Sequence, residues 1–384
     1  MRQLIYLDSA ATACNSADDI IINAIKDAME NYWFNPSSLY ASEEKEKINK
    51  CRANVAKFIG AESEEIYFTS GSSESNSWVI RSWVDQMMMT SLQIRNIITT
   101  PIEHKSIMNA VKSKTLAAYV QYCNVNSHGL VDMSHLESLL KMCQHEPVLV
   151  SICYANNEVG TIQNIKEISD LVHKYRGLLH TDATQAFGKI PINVEELGID
   201  LMSCSGHKVS PILKGIGFLY KRSGVDIQPL IYGNQEQGLR GGTTNTFGIV
   251  GLSKALEYCD LSQNKIDEMC AKRDYFINWL ESEYGCKLNG HRKNRLPNNI
   301  NVTFPQNITG ESLLYMLDMS GVQISTGSAC NSTSIEPSHV LKAIGLTNDE
   351  AMRTVRFSLS DSVSHENIDY VIGEIDKCLK IIEA

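Results

Sequence analysis

From about residue 60 to 255, short apolar runs alternate with helix-length amphipathic stretches along the chain. This alternation predicts βαβ units and a mostly parallel sheet covered by helices, an α/β fold. The predicted strands are EEIYFTS (64–70), NIITTP (96–101), AAYVQYC (117–123), VLVSICYA (148–155), GLLHTDA (177–183) and LMSCSGHK (201–208). Several end in polar residues, and in open α/β sheets ligands bind beyond the carboxyl ends of the strands. The polar tips Ser70–Ser73, His104, Asn156, Asp182 and Ser205–Lys208 are therefore expected to converge.

The pattern changes near EQGLRGGTTNT, after which residues 247–285 read as one long helix. Strands near NNINVTF (298–304), GVQISTG (321–327) and MRTVRFSLS (352–360) follow among helices, as in a smaller α+β domain. The expected division is a large domain over 12–255 and a small one from 1–11 and 256–384. The small one carries ISTGSACNSTS, residues 324–334, where Cys330 stands in a polar run. Free cysteine is mostly buried, so Cys330 in this polar run is either incidental or meant to be reached.

Composition narrows the function classes. With 384 residues, 43% hydrophobic and 21% charged, the chain can bury a sizeable core, and its net charge of −9 argues against a broad nucleic-acid or anionic-membrane surface. A small-molecule substrate is expected, and no direct nucleic-acid partner. The first residues, MRQLIYLDSAATA, hold no apolar run of signal-peptide length, so a cytoplasmic protein with no membrane anchor is expected. Eleven cysteines without a C-x-x-C pair fit reduced thiols better than disulfides or a metal site.

Three stretches can carry chemistry. SGSSES (70–75), between a strand and a helix predicted over 73–90, offers free backbone N–H groups suited to phosphate, or simply a serine cap. In HTDATQAFGK (180–189), Asp182 can pair with a cationic ring nitrogen or cap a helix, and Gln185 lies one turn on. In SCSGHKVSPILKGIGFLY (203–220), Lys208 at a strand end can form a Schiff base with an aldehyde cofactor.

Taken together, these stretches resemble the pyridoxal-phosphate (PLP) cysteine desulfurases of the NifS and IscS branch. The resemblance runs through IYLDSAAT (5–12), NPSS (35–38), TSGSSESN (69–76), EHKSI (103–107), ANNEVGTIQ (155–163), HTDATQAFGK, SGHK (205–208), RGGT (240–243), STGSACNSTSIEPSHVLKAIG (325–345) and VRFSLS (355–360). It implies the PLP-dependent transferase fold type I, a homodimer, and conversion of L-cysteine to L-alanine with the sulfur held on Cys330 as a persulfide. The sulfur then passes to an acceptor protein serving iron–sulfur cluster assembly, tRNA thiolation or DNA phosphorothioation.

The same resemblance assigns roles. Lys208 would hold PLP and move the Cα proton, Asp182 would pair with the ring nitrogen, Gln185 with the phenolic oxygen, and His104 would stack on the ring as an acid or base. Ser72, Ser73, Ser205 and His207 would hold the phosphate, with Thr243 reaching in from a second subunit. Arg356 would bind the substrate carboxylate, assisted by Asn35 and Asn156. A PLP lyase or aminotransferase without persulfide chemistry needs no thiol on a mobile loop, so Cys330 separates those readings. The turn after Lys208, VSPILKG, is one residue longer than the family's pattern and lacks its first glycine.

Overall fold

The computed structural model describes residues 4–14, 17–33, 41–89, 96–112, 119–305, 308–326, 328–331 and 334–383, with the backbone alone for 87–89, 328–331, 334–335 and 382–383. Strand β1 is Ile5–Tyr6. The main sheet then collects β2 (Ile66–Thr69), β3 (Asn96–Thr99), β4 (Val120–Tyr122), β5 (Val148–Ser151), β6 (Leu178–Asp182), β7 (Leu201–Ser205) and β8 (Gly217–Lys221). Their order is β2-β8-β7-β6-β5-β3-β4. β8 runs antiparallel to both its neighbours, and the other pairs are parallel. The mostly parallel arrangement expected from the alternating pattern is thus present. β3, β5 and β7 are buried throughout, which is why they read as continuous apolar runs rather than alternating ones.

Helices cover both faces. Phe187 sits against Phe58 and Phe218, with ring centroids 5.4 and 5.2 Å away in edge-to-face contacts. The Trp78 side chain, on the helix Ser72–Met89, lies in a separate apolar cluster with Tyr67, Leu149 and Leu219.

A second sheet is built from β9 (Lys287–Leu288), β10 (Asn299–Thr303), β12 (Ser325–Thr326) and β15 (Thr354–Ser358), in the order β12-β15-β10-β9, all antiparallel. Its core joins Phe276, Ile300, Phe357 and Ile368. Between these strands, β11 (Val322–Gln323) pairs in parallel with β1, so the single strand expected at 321–327 is shared between two partners. Among the described residues, no helix is long and apolar enough to cross a membrane.

Two expectations are corrected. The helix expected over 247–285 is two helices, Thr246–Glu257 and Gln263–Tyr284. The break is local: the Asp260 carboxylate accepts from the Ser262 N–H at 2.9 Å, a short-range contact that competes with helix continuation. The run around Cys330 is not unpaired backbone. β13 (Ser328–Asn331) and β14 (Ser334–Pro337) form an antiparallel ladder in which Cys330 stands opposite Ile335. Polar side chains do not prevent such a ladder, because its bonds are made by the main chain.

Candidate active site

The carboxyl ends of β2, β6 and β7 meet at a cavity of about 350 Å³. Its wall includes Ser72, Ser73, His104, Asp182, Gln185 and Lys208, with Arg356 arriving from β15. The main chain supplies the first layer. Gly71, at φ +151°, turns the chain from β2 into the helix Ser72–Met89, and the Ser70 N–H is held by Glu74 at 2.8 Å. Ser72 and Ser73 therefore present a helix N-terminus to the cavity, a setting that favours an anion.

Asp182 is buried at the end of β6 and held at both oxygens. Asn76 donates to Oδ2 at 2.7 Å, and the Thr184 N–H donates to Oδ1 at 3.0 Å. Asn76 also donates to Ser106 at 2.9 Å, and Ser106 contacts His104 Nδ1 at 2.8 Å. The Ser106 N–H donates to that same Nδ1 at 3.2 Å, so the neutral ring carries its proton on Nε2. Burial holds His104 below its ordinary pKa, against the pull of Asp182. The result is a neutral imidazole at the cavity wall, coupled through two side chains to a fixed carboxylate.

Lys208 donates to the carbonyls of Ala10 and Ala11 at 2.7 and 2.6 Å. Burial, then the Arg356 charge, push its amine down to about 8, which makes the neutral, nucleophilic form accessible near neutral pH. Ser205 and His207 form a pair at 2.7 Å, and burial followed by Lys208 pushes His207 down to about 4. Arg356 meets Asp8 at 2.6 Å through Nη2 and the Asn157 carbonyl at 3.1 Å through Nη1. The longer turn after Lys208 is anchored by Ser210, which donates to Asp18 at 2.7 Å, and by buried Leu213.

Not every expected residue is gathered here. Asn156 donates to the Ile102 carbonyl at 2.8 Å and accepts from the Glu158 and Val159 N–H groups at 2.9 and 3.0 Å, so its amide is spent on the backbone. Its neighbour Asn157 lines the cavity in its place. Thr243 is exposed in a separate pocket with Arg240 and Gly242. Asn35 and the Cys330 side chain lie outside the described residues.

A family model described as aminotransferase class-V matches residues 5–371. A cysteine desulfurase IscS of Dictyoglomus turgidum is 40% identical over 387 residues, covering 99% of this chain and 95% of the relative. One from Methanosarcina thermophila is also 40% identical, over 99% of this chain and 93% of its own length. The chain belongs to the class-V aminotransferases and is a cysteine desulfurase. Among solved structures, a NifS-like protein superposes on this desulfurase with a TM-score of 0.89 at 35% identity, covering 99% of this chain and all of the other. A structure described as SspA in complex with cysteine superposes with a TM-score of 0.78 at 34% identity, over 92% of this chain and 98% of that one.

Three parts of the desulfurase's site escaped the reading of residue types. Asn76 and Asp8 lie inside stretches that carried the resemblance, TSGSSESN and IYLDSAAT, and both are polar residues next to assigned ones. The Ala10 carbonyl is a backbone acceptor and leaves no mark in a side-chain pattern.

Proposed function

We propose that this cysteine desulfurase is a PLP-dependent homodimer that places the sulfur of L-cysteine on Cys330 as a persulfide, releasing L-alanine. The observation that carries the reading is the convergence of Lys208, Asp182, His104 and Arg356 on one cavity. The residues present fit the cofactor. Thr184 Oγ1, on the cavity wall, is buried with no partner among the described residues, as is Arg356 Nε, and both can bond a polar occupant.

PLP, when bound, supplies an electrophilic aldehyde and an electron sink for the substrate's Cα. Ser72, Ser73, Ser205 and His207 would hold its phosphate, with Thr243 of a second subunit. The exposure of Thr243 outside its own chain's cavity supports that share of the work. Asp182 would hold a proton on the ring nitrogen, its carboxylate kept in place by Asn76 and the Thr184 N–H. Gln185 would face the phenolic oxygen. The Lys208 amine carries the Cα proton, and His104, with Nε2–H at the wall, donates or holds a proton beside it. Arg356 binds the substrate carboxylate as a two-pronged donor, near Asn157 rather than Asn156. The Cys330 thiolate attacks the substrate sulfur, so that an S–S bond forms as the substrate's Cβ–S bond breaks; the electron pair of the broken bond stays with the three-carbon fragment, which takes up a proton and leaves as L-alanine.

The division into domains over 12–255 and over 1–11 with 256–384 belongs to the same proposal, supported by two separate apolar cores. A cytoplasmic setting is supported by ten cysteines that are all free thiols among the described residues. The acceptor is a protein serving iron–sulfur cluster assembly, tRNA thiolation or DNA phosphorothioation.

The test measures alanine and sulfide made from L-cysteine with a reductant present, for wild type, Lys208→Ala and Cys330→Ala. Lys208→Ala is expected to lose both products together with the cofactor absorbance near about 400 nm. Cys330→Ala is expected to keep the absorbance and lose sulfide release. Normal desulfuration by Cys330→Ala sinks the persulfide assignment.

A further inference from the structure

Behind the catalytic cavity lies a second one of about 120 Å³, and the wall between them holds a lysine that none of the proposed chemistry uses. Lys189 enters from that side and donates to Gln185 Oε1 at 2.8 Å. On the opposite end of the same amide, Gln185 Nε2 donates to the Ala10 carbonyl at 2.9 Å, the acceptor that Lys208 also uses. A carbonyl can only accept and an ammonium can only donate. The Gln185 amide is therefore held between two groups that permit a single flip state, in which oxygen faces Lys189. Its nitrogen keeps one N–H on Ala10 and has a second N–H available on a side chain that lines the catalytic cavity.

We propose that Lys189 is a positioning residue for the cofactor site, fixing the Gln185 amide so that an N–H donor faces the ring oxygen. This rests on the PLP reading given above. In the opposite flip state an amide oxygen would face a phenolic oxygen, two acceptors in contact. Lys189 also withdraws electron density through the amide, strengthening that N–H as a donor. The groups around the amine are Lys208 and Arg356 on the catalytic side, with Cys14, Cys259, Asp260, Lys265 and Asp361 lining its own cavity. Among the described residues its hydrogen-bond partner is Gln185, and no carboxylate pairs with it at salt-bridge distance. Burial, then Lys208 and Arg356, push it down to about 7, so it is an ammonium below that pH, and in either charge state an N–H is available to the Gln185 oxygen 2.8 Å away.

The test is a pH titration of purified holoenzyme, following the absorbance of bound cofactor near about 400 nm, for wild type, Lys189→Met, Lys189→Leu and Lys189→Arg. The two apolar variants lose the donor, so the ring oxygen is less well held as an anion. The spectral midpoint is expected to rise by about one pH unit. Lys189→Arg keeps donor and charge and is expected to titrate as wild type does. An unmoved midpoint in the apolar variants overturns the role, and so does an equal displacement in Lys189→Arg, which would mark a packing effect. Wild-type protein with neither the absorbance nor PLP on acid extraction overturns the cofactor reading, and this inference with it.

Discussion

Asp8 and Arg356, 348 residues apart, form an ion pair at 2.6 Å with side chains only 21% and 10% exposed. The guanidinium is thus charge-balanced and held in place by Asp8. Asp8→Asn removes the charge but keeps the shape, and it leaves a mostly buried cation without its counter-ion. The expected cost is about 2 kcal/mol in urea unfolding, with a raised KM for L-cysteine and a smaller change in kcat. An unchanged KM would mean that Asp8 does not aim the arginine.

The Lys208 amine, pushed from 10.5 to about 8, makes a prediction for the cofactor-free protein. Between those two values the unfolded chain binds a proton at this site that the folded chain does not, so its contribution makes stability rise with pH across about 8 to 10.5. Lys208→Met removes that contribution. The difference in unfolding free energy between the two proteins, measured at a series of pH values, should shrink as pH rises through this window.

Glu103 behaves in the opposite sense. It is buried, its Oε1 accepts from Thr100 at 2.6 Å and from the Cys153 N–H at 3.1 Å, and its Oε2 has no partner among the described residues. Burial pushes it up to about 8, so it is protonated at neutral pH. From 4.5 to about 8 the folded chain binds the extra proton, and stability from this group falls as pH rises. Glu103→Gln should be as stable as wild type near pH 5, within about 1 kcal/mol, and more stable near pH 9. Parallel stability curves for the two proteins would show that Glu103 is ionised when folded.

Gly217 faces the turn at Gly71 that opens the helix Ser72–Met89. A methyl group there would come within 2.6 Å of Gly71 Cα and press on the Cys204 carbonyl, both backbone. Gly217→Ala should cost about 2 kcal/mol or more and should speed cofactor loss, because the Gly71 turn must shift. Thermal unfolding and the rate of cofactor release measure the two effects separately.

The main sheet was legible because its strands are apolar runs that end in polar residues, as at Asp182 and Ser205. The break at Tyr258–Ser262 was not, since a contact between Asp260 and Ser262 outweighs helix propensity on both sides. The hairpin at Cys330 was missed because polarity speaks of side chains and its ladder is main chain. In the site, residue types pointed to Asp182, His104 and Lys208 through their places at strand ends. They did not distinguish Asn156 from Asn157: only the fold shows that the first amide is consumed by Ile102, Glu158 and Val159.

The segment Asp8–Ala11 has one further consequence. Its Ala10 N–H donates to Ser358 Oγ at 2.9 Å while the Ala10 carbonyl holds Lys208, so the earliest part of the chain is wedged between that lysine and β15. During synthesis on the ribosome, β15 emerges long after the main sheet is complete, and chains fold largely in the order they appear. The bonds of this segment to Gln185 and Lys208 can form earlier, but those of Asp8 to Arg356 and of Ala10 to Ser358 wait for the arginine strand. The wall that Asp8 and Arg356 form together is thus completed only once β15 has been made.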